Sequence, residues 1–158
     1  MKFSIEVLES ASDLSTEDQG LLKKATKVLK DAYAPYSHFN VGTALLLKNG
    51  DIVVGSNQEN VAYPSGLCAE RVALFAAGAQ HPDVPVTTIA ITAQSDTVTI
   101  DEPLAPCGAC RQVMCETENR YGQKIKVILK GDADKIYVIN SVSDILPLSF
   151  TPDKLAVK

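Results

Sequence analysis

Tryptophan is absent from this 158-residue chain, aromatic residues make up only 6% of it, and histidine occurs twice. There is no excess of basic residues either, since the net charge is −4. A nucleic-acid binder needs a cationic face, commonly with aromatics laid along it, and neither is present. No apolar run is long enough to cross a bilayer. The start, Met1-Lys2-Phe3-Ser4-Ile5-Glu6, alternates polar and apolar residues and lacks the apolar stretch of a secretory leader. The expectation is therefore a cytosolic chain that binds neither nucleic acid nor membrane and keeps its thiols reduced. Internal repeats and low-complexity tracts are also missing.

What is present is ordinary for a globular protein: 46% hydrophobic and 22% charged residues. The length suits a single domain, residues 1–158, able to bury its core without disulfide staples. In a reducing compartment the four cysteines, Cys68, Cys107, Cys110 and Cys115, read as metal ligands or plain thiols and not as two disulfides. A small, weakly charged substrate fits this acidic composition better than a polyanion.

Along the chain, residues 2–8 alternate with Phe3, Ile5 and Val7 on one face, giving a short edge strand or an ordered arm; residues 1–14 have no assigned role. Ser15 or Thr16 caps a helix with Leu21, Leu22, Ala25, Val28, Leu29 and Ala32 on its apolar face, running to Pro35. Strands are expected at 41–47 and 51–56, joined by a two-residue turn at Asn49-Gly50. A helix at 68–79 is apolar nearly all round and so should be buried. A strand at 87–93, a helix from Gly108 to about Tyr121, strands at 125–129 and 136–139, and a short turn at 142–146 complete the order. The expected class is three-layer α/β/α with a mixed sheet of about five strands.

Two short stretches carry the chemistry. Cys68-Ala69-Glu70 lies at one expected helix start, and Pro106-Cys107-Gly108-Ala109-Cys110 at another, 39 positions later. A lone C-x-x-C is unspecific. A third cysteine at a second helix start makes a three-thiolate zinc site, with the fourth position left open as in catalytic centres. Helix N-termini favour the charged, metal-binding thiolate. Three thiolates on Zn²⁺ leave a net negative charge, for which Arg71 is the first compensating cation and Arg111 the second. Cys115, five residues beyond Cys110, sits on another helix face and reads as a packed thiol. Glu70 alone would be a helix-start acid; beside three ligands it becomes the group that carries a proton from water to substrate. Neither His38 nor His81 is needed as a ligand.

A first ligand, a nearby Glu and a later P-C-x-x-C is the mark of zinc deaminases. The stretch from Tyr36-Ser37-His38-Phe39 and Val41-Gly42, through Asn57-Gln58-Glu59-Asn60, Tyr63-Pro64 and Cys68-Ala69-Glu70-Arg71, to Cys107-Gly108-Ala109-Cys110-Arg111-Gln112, resembles cytidine deaminases of the small, three-cysteine, homotetrameric class. The segment Leu146-Pro147-Leu148-Ser149-Phe150-Thr151-Pro152 is similar to that class too. The resemblance implies zinc on Cys68, Cys107 and Cys110, with Glu70 shuttling protons and Arg71 beside the sulfurs. It further implies ribose contacts from Asn57 and Glu59, with Asn60 in the same segment, and Phe39 against the pyrimidine. Tyr63 and Phe150 would lie near the site, across subunit contacts of a homotetramer. Asn40 and Thr151 depart from the usual Pro and Gly. The implied activity is hydrolytic deamination of cytidine and deoxycytidine in pyrimidine salvage. The alternatives are a deaminase of a related aminopyrimidine nucleoside, a non-catalytic zinc module and a thiol redox protein.

Overall fold

The computed structural model describes residues 3–151. One six-stranded sheet runs in the order β1-β6-β5-β4-β2-β3. Its strands are β1 (Glu6–Leu8), β2 (Phe39–Leu47), β3 (Ile52–Ser56), β4 (Val86–Ser95), β5 (Lys126–Lys130) and β6 (Ile136–Ile139). Only β4 and β5 are parallel; the other neighbours are antiparallel. The helices are α1 (Thr16–Lys27), α2 (Ala69–Gln80) and α3 (Gly108–Tyr121).

Strand alternation sorts the core into two halves. Ala44, Ala90, Ile128, Ile136 and Val138 face α1 and meet Leu21, Leu22 and Ala25. Leu45, Ile89, Ile91, Val127 and Leu129 point the other way, against Ala73, Leu74, Ala77, Met114 and Cys115 of α2 and α3. This is the expected three-layer α/β/α arrangement. The sheet has six strands and not about five, because the arm contributes β1, with Glu6 opposite Val138 and Leu8 opposite Ile136.

Ser15 caps α1, its side chain accepting from the Asp18 backbone N–H at 3.1 Å. The α-helix stops at Lys27, ahead of Pro35, and tightens into a 3₁₀ turn over Val28–Asp31. The β2–β3 turn spans Lys48–Gly50, one residue longer than expected: Leu47 N–H donates to Asp51 O, and Gly50 takes φ +90°. The expectation that α2 is buried all round fails at Phe75, which is 51% exposed. One face of α2 packs on the sheet, and the apolar residue on its other side faces outward.

Two glycines set how closely helices approach the sheet. A Cβ on Gly42 would lie 2.1 Å from Ala25 O, and one on Gly55 would lie 2.6 Å from Ala73 N and 2.7 Å from Ala69 O. Gly55 therefore seats the first turns of α2 directly on β3. Gly55→Ala should lower the unfolding free energy by about 1–3 kcal/mol, because only backbone can yield there. Gly20→Ala, in open space on α1, should raise it by about 0.5–1 kcal/mol. Urea melts of the two variants check the opposite signs.

Candidate active site and metal centre

Cys68 is the N-cap residue of α2 and Cys107 that of α3, both with extended backbone and neither with a side-chain capping bond. Cys110 lies in the first turn of α3 and is fully buried. Gly55 seats the α2 start while the loop before α3 brings in Cys107, so the three sulfurs come within 4.8 Å of one another. The Cys107 and Cys110 sulfurs are 3.4 Å apart. Tetrahedral zinc with Zn–S near 2.3 Å needs sulfurs roughly 3.8 Å apart, so the donor set fits that ion. Among the described residues no fourth ligand joins the group, and Cys115 is packed in the core with Met114.

The electrostatics favour one charged sulfur at once. The Cys68 thiol is pulled down to about 5, chiefly because Cys110 can donate to its sulfur, with Arg71 adding hydrogen bonding and charge. Arg71 Nη2 lies 3.6 Å from Cys68 Sγ. The Cys110 thiol is pushed up by the same pairing and by burial. Glu70, 4% exposed, has its carboxyl raised mainly by burial, with the Cys68 charge adding to the effect. Arg71 is thus the cation beside the sulfurs. Arg111 donates instead to Pro106 O at 2.7 Å and Ile145 O at 3.0 Å.

A cavity of about 450 Å³ opens onto Cys68 and Arg71. Its far wall is the 57–60 segment, laced on both sides. Tyr33 N–H donates to Asn57 O and Glu59 N–H to Tyr33 O, while Gln58 and Leu67 exchange two backbone bonds just before Cys68. Asn57 Oδ1 accepts from Val41 N–H at 2.7 Å, and its Nδ2 donates to Phe39 O at 2.9 Å. Glu59 accepts from the backbone N–H groups of Tyr36 and Ser37 and from the Ser37 hydroxyl. That hydroxyl is the main reason its carboxyl sits below the usual range. Asn60 Oδ1 accepts from Ala62 N–H, closing the turn before Tyr63. Tyr36 and Tyr63 meet edge to face at 6.1 Å.

The match to known proteins is broad. Residues 15–122 fit the model of the cytidine and deoxycytidylate deaminase zinc-binding region. The chain belongs to that deaminase family. It is 41% identical over 138 residues to a cytidine deaminase of Halalkalibacterium halodurans, covering 87% of this chain and 96% of the relative. A cytidine deaminase of Sporosarcina psychrophila is 38% identical over 136 residues, covering 86% and 93%. The crystal structure of the Burkholderia pseudomallei cytidine deaminase superposes with a TM-score of 0.73 at 37% identity, covering 87% of this chain and all of that one.

Of the residues the sequence put at the site, about half line the cavity. Asn57, Glu59, Asn60, Tyr63, Cys68 and Arg71 all line it, together with Tyr36, Ser37, Gln58 and Leu67, which had no assigned role. Tyr36 and Ser37 stood in the matching stretch, so that signal was available. Phe39 opens β2 and Phe150 is 57% exposed; neither lines the cavity within one chain.

Zinc takes thiolates, so loading it onto a site with a neutral thiol releases protons. At pH 7 Cys68, at about 5, is already charged, whereas Cys110 is still protonated. Calorimetric zinc titrations in buffers of different ionisation enthalpy should show at least one proton released per chain. Cys110→Ser should lose tight zinc, and Cys115→Ser should keep it. Equal retention by the two would remove Cys110 from the ligand set.

Proposed function

We propose that this chain catalyses the hydrolytic deamination of cytidine and deoxycytidine to uridine and deoxyuridine, with release of ammonia. The observation that carries the reading is the gathering of Cys68, Cys107 and Cys110 beside buried Glu70, with a nucleoside-sized cavity opening on the Cys68 side. Zinc held by the three sulfurs supplies the Lewis acidity that makes water a nucleophile near neutral pH. Glu70 is the proton carrier: it accepts a proton from the attacking water and gives it to ring N3 as C4 becomes tetrahedral, then takes the proton of the new C4 hydroxyl and passes it to the departing amine, leaving the C4 carbonyl. Its burial keeps the carboxyl poised to take a proton up and return it. Arg71 holds the charge of Cys68 in check.

Asn57 and Glu59 are the sugar contacts in this reading, with Asn60 beside them. The backbone bonds to Asn57 leave one amide hydrogen and one lone pair, so it can still donate to and accept from a hydroxyl. Phe39 is the ring set against the base in this reading, and Tyr63 and Phe150 come near the site across subunit contacts. Among the described residues Arg71 is the one cation lining the cavity, engaged with Cys68, and Glu59 is anionic. That lining offers nothing for a phosphate, which argues for nucleosides over nucleotides. A non-catalytic zinc module needs a fourth protein ligand, and Cys115 is in the core.

A homotetramer is the proposed assembly, supported by the exposed rings of Phe75, Tyr63 (76%) and Phe150. A cytosolic location fits four free cysteines and the lack, among the described residues, of any helix long and apolar enough to cross a membrane.

The purified protein should bleach the ultraviolet band of cytidine and release matching ammonia, and should leave deoxycytidine monophosphate largely unchanged. Turnover of another aminopyrimidine nucleoside but not cytidine would move the substrate. Glu70→Gln should retain zinc and lose about 10²–10⁴-fold in kcat; near-normal turnover would sink the proton-carrier role.

A further inference from the structure

Arg111 is the one guanidinium near the sulfur cluster that spends itself on backbone. Its Nε donates to Pro106 O at 2.7 Å and its Nη1 to Ile145 O at 3.0 Å. Pro106 O belongs to the peptide group that leads directly into Cys107. Pro106 is buried, whereas Cys107 is exposed and caps α3 without a side-chain capping bond. The Cys107 sulfur's side-chain contact is with Cys110 Sγ at 3.4 Å, itself a member of the cluster; the peptide plane preceding it is what Arg111 holds.

The other end of the brace is equally well anchored. Ile145 N–H donates to Val142 O, closing the 3₁₀ turn over Val142–Asp144. The start of that turn is gripped by Glu118, whose carboxylate accepts from the Ser141 hydroxyl at 2.5 Å and from Val142 N–H at 2.9 Å. Arg111 and Glu118 stand two helical turns apart on α3, on the same face. They clamp the two ends of the 141–145 segment. Buried Val142 nails that segment to the core. The path runs from the core through Ile145 O and the planar Arg111 fork to Pro106 O and so to Cys107.

We propose that Arg111 is a positioning residue for the metal site: it presets Cys107 for zinc by its two carbonyl bonds and not by its charge. The proposal rests on the reading of the three thiols as a zinc site. Charge compensation belongs to Arg71, which reaches Cys68. The two roles separate by substitution. A lysine keeps the charge but offers one flexible ammonium where the fork spans two carbonyls. If charge were the role, Arg111→Lys would behave as the unaltered chain; if the fork is the role, it fails with Arg111→Met.

The experiment is zinc release from the loaded protein to a colorimetric chelator, with visible spectra of the cobalt(II)-loaded protein in parallel. Both Arg111→Met and Arg111→Lys should release zinc at least tenfold faster, in the range that partners supporting a ligand ordinarily contribute. Their cobalt spectra should show altered band positions or intensities. Gln112→Ala is the control: its neighbouring side chain bonds Phe150 O at 2.9 Å, outside the brace, and should leave release within twofold. Should Arg111→Met not fold by circular dichroism, Arg111→Lys decides alone. The proposal is overturned if lysine restores normal release, if methionine leaves release within twofold, or if Gln112→Ala shifts it equally. No nucleoside enters the assay, so failure to deaminate cytidine leaves this inference standing. An unaltered chain that takes up no metal overturns it.

Discussion

Like charges brought together cost energy, and the centre of this molecule is built around that cost. Three sulfurs within 4.8 Å cannot all ionise unless something positive faces them. The fold supplies two helix N-termini, each capped by one of the three cysteines, and one guanidinium 3.6 Å from Cys68. The metal supplies the remainder. The close seating of α2 on Gly55, and the direction in which α3 leaves its loop, serve to bring those helix ends to one point. Glu70 follows from the same arrangement, for a residue two places after an N-cap cysteine is carried beside the sulfurs and out of water.

The cavity wall has a different economy. Asn57 and Glu59, the polar side chains best suited to a sugar, are already bonded to backbone at Val41, Phe39, Tyr36 and Ser37. Their orientation is settled by folding and not by a ligand, so a nucleoside meets groups that have little rotamer freedom left to lose. The tyrosine pair at Tyr36 and Tyr63 lies on the exposed rim, where a second copy of the chain could reach it.

Much of this was legible in the sequence because it depends on local chemistry. The Ser15 cap, the Asn49-Gly50 turn and the start of α3 at Gly108 are written in residues whose conformational preferences act over a few positions. The Cys107–Cys110 half of the sulfur cluster is local in the same way, while Cys68 joins it only through folding. What was not legible depends on partners far along the chain. The pairing of β1 with β6 decides whether residues 3–8 are a strand or an arm, and nothing local announces it. The apolar sequence of α2 gave burial on all sides, yet Phe75 is open in the single chain; periodicity cannot tell core from a face left for another molecule. Arg111 was weighed as a charge for the metal, and its carbonyl partners at Pro106 and Ile145 come from a loop and a turn brought together only by folding.

Cys68 opens α2, while Cys107 and Cys110 open α3, and the first two stand 39 positions apart in the chain. Any ion gripping all three therefore acts as a removable cross-link across a long loop. By the chain-entropy reasoning applied to disulfides, closing a loop of this length restricts the unfolded chain by about 4 kcal/mol. That is a sizeable share of the stability of an ordinary domain. An ion on those sulfurs would thus fasten one layer of helices together, and depriving the protein of it would loosen the architecture as well as the site.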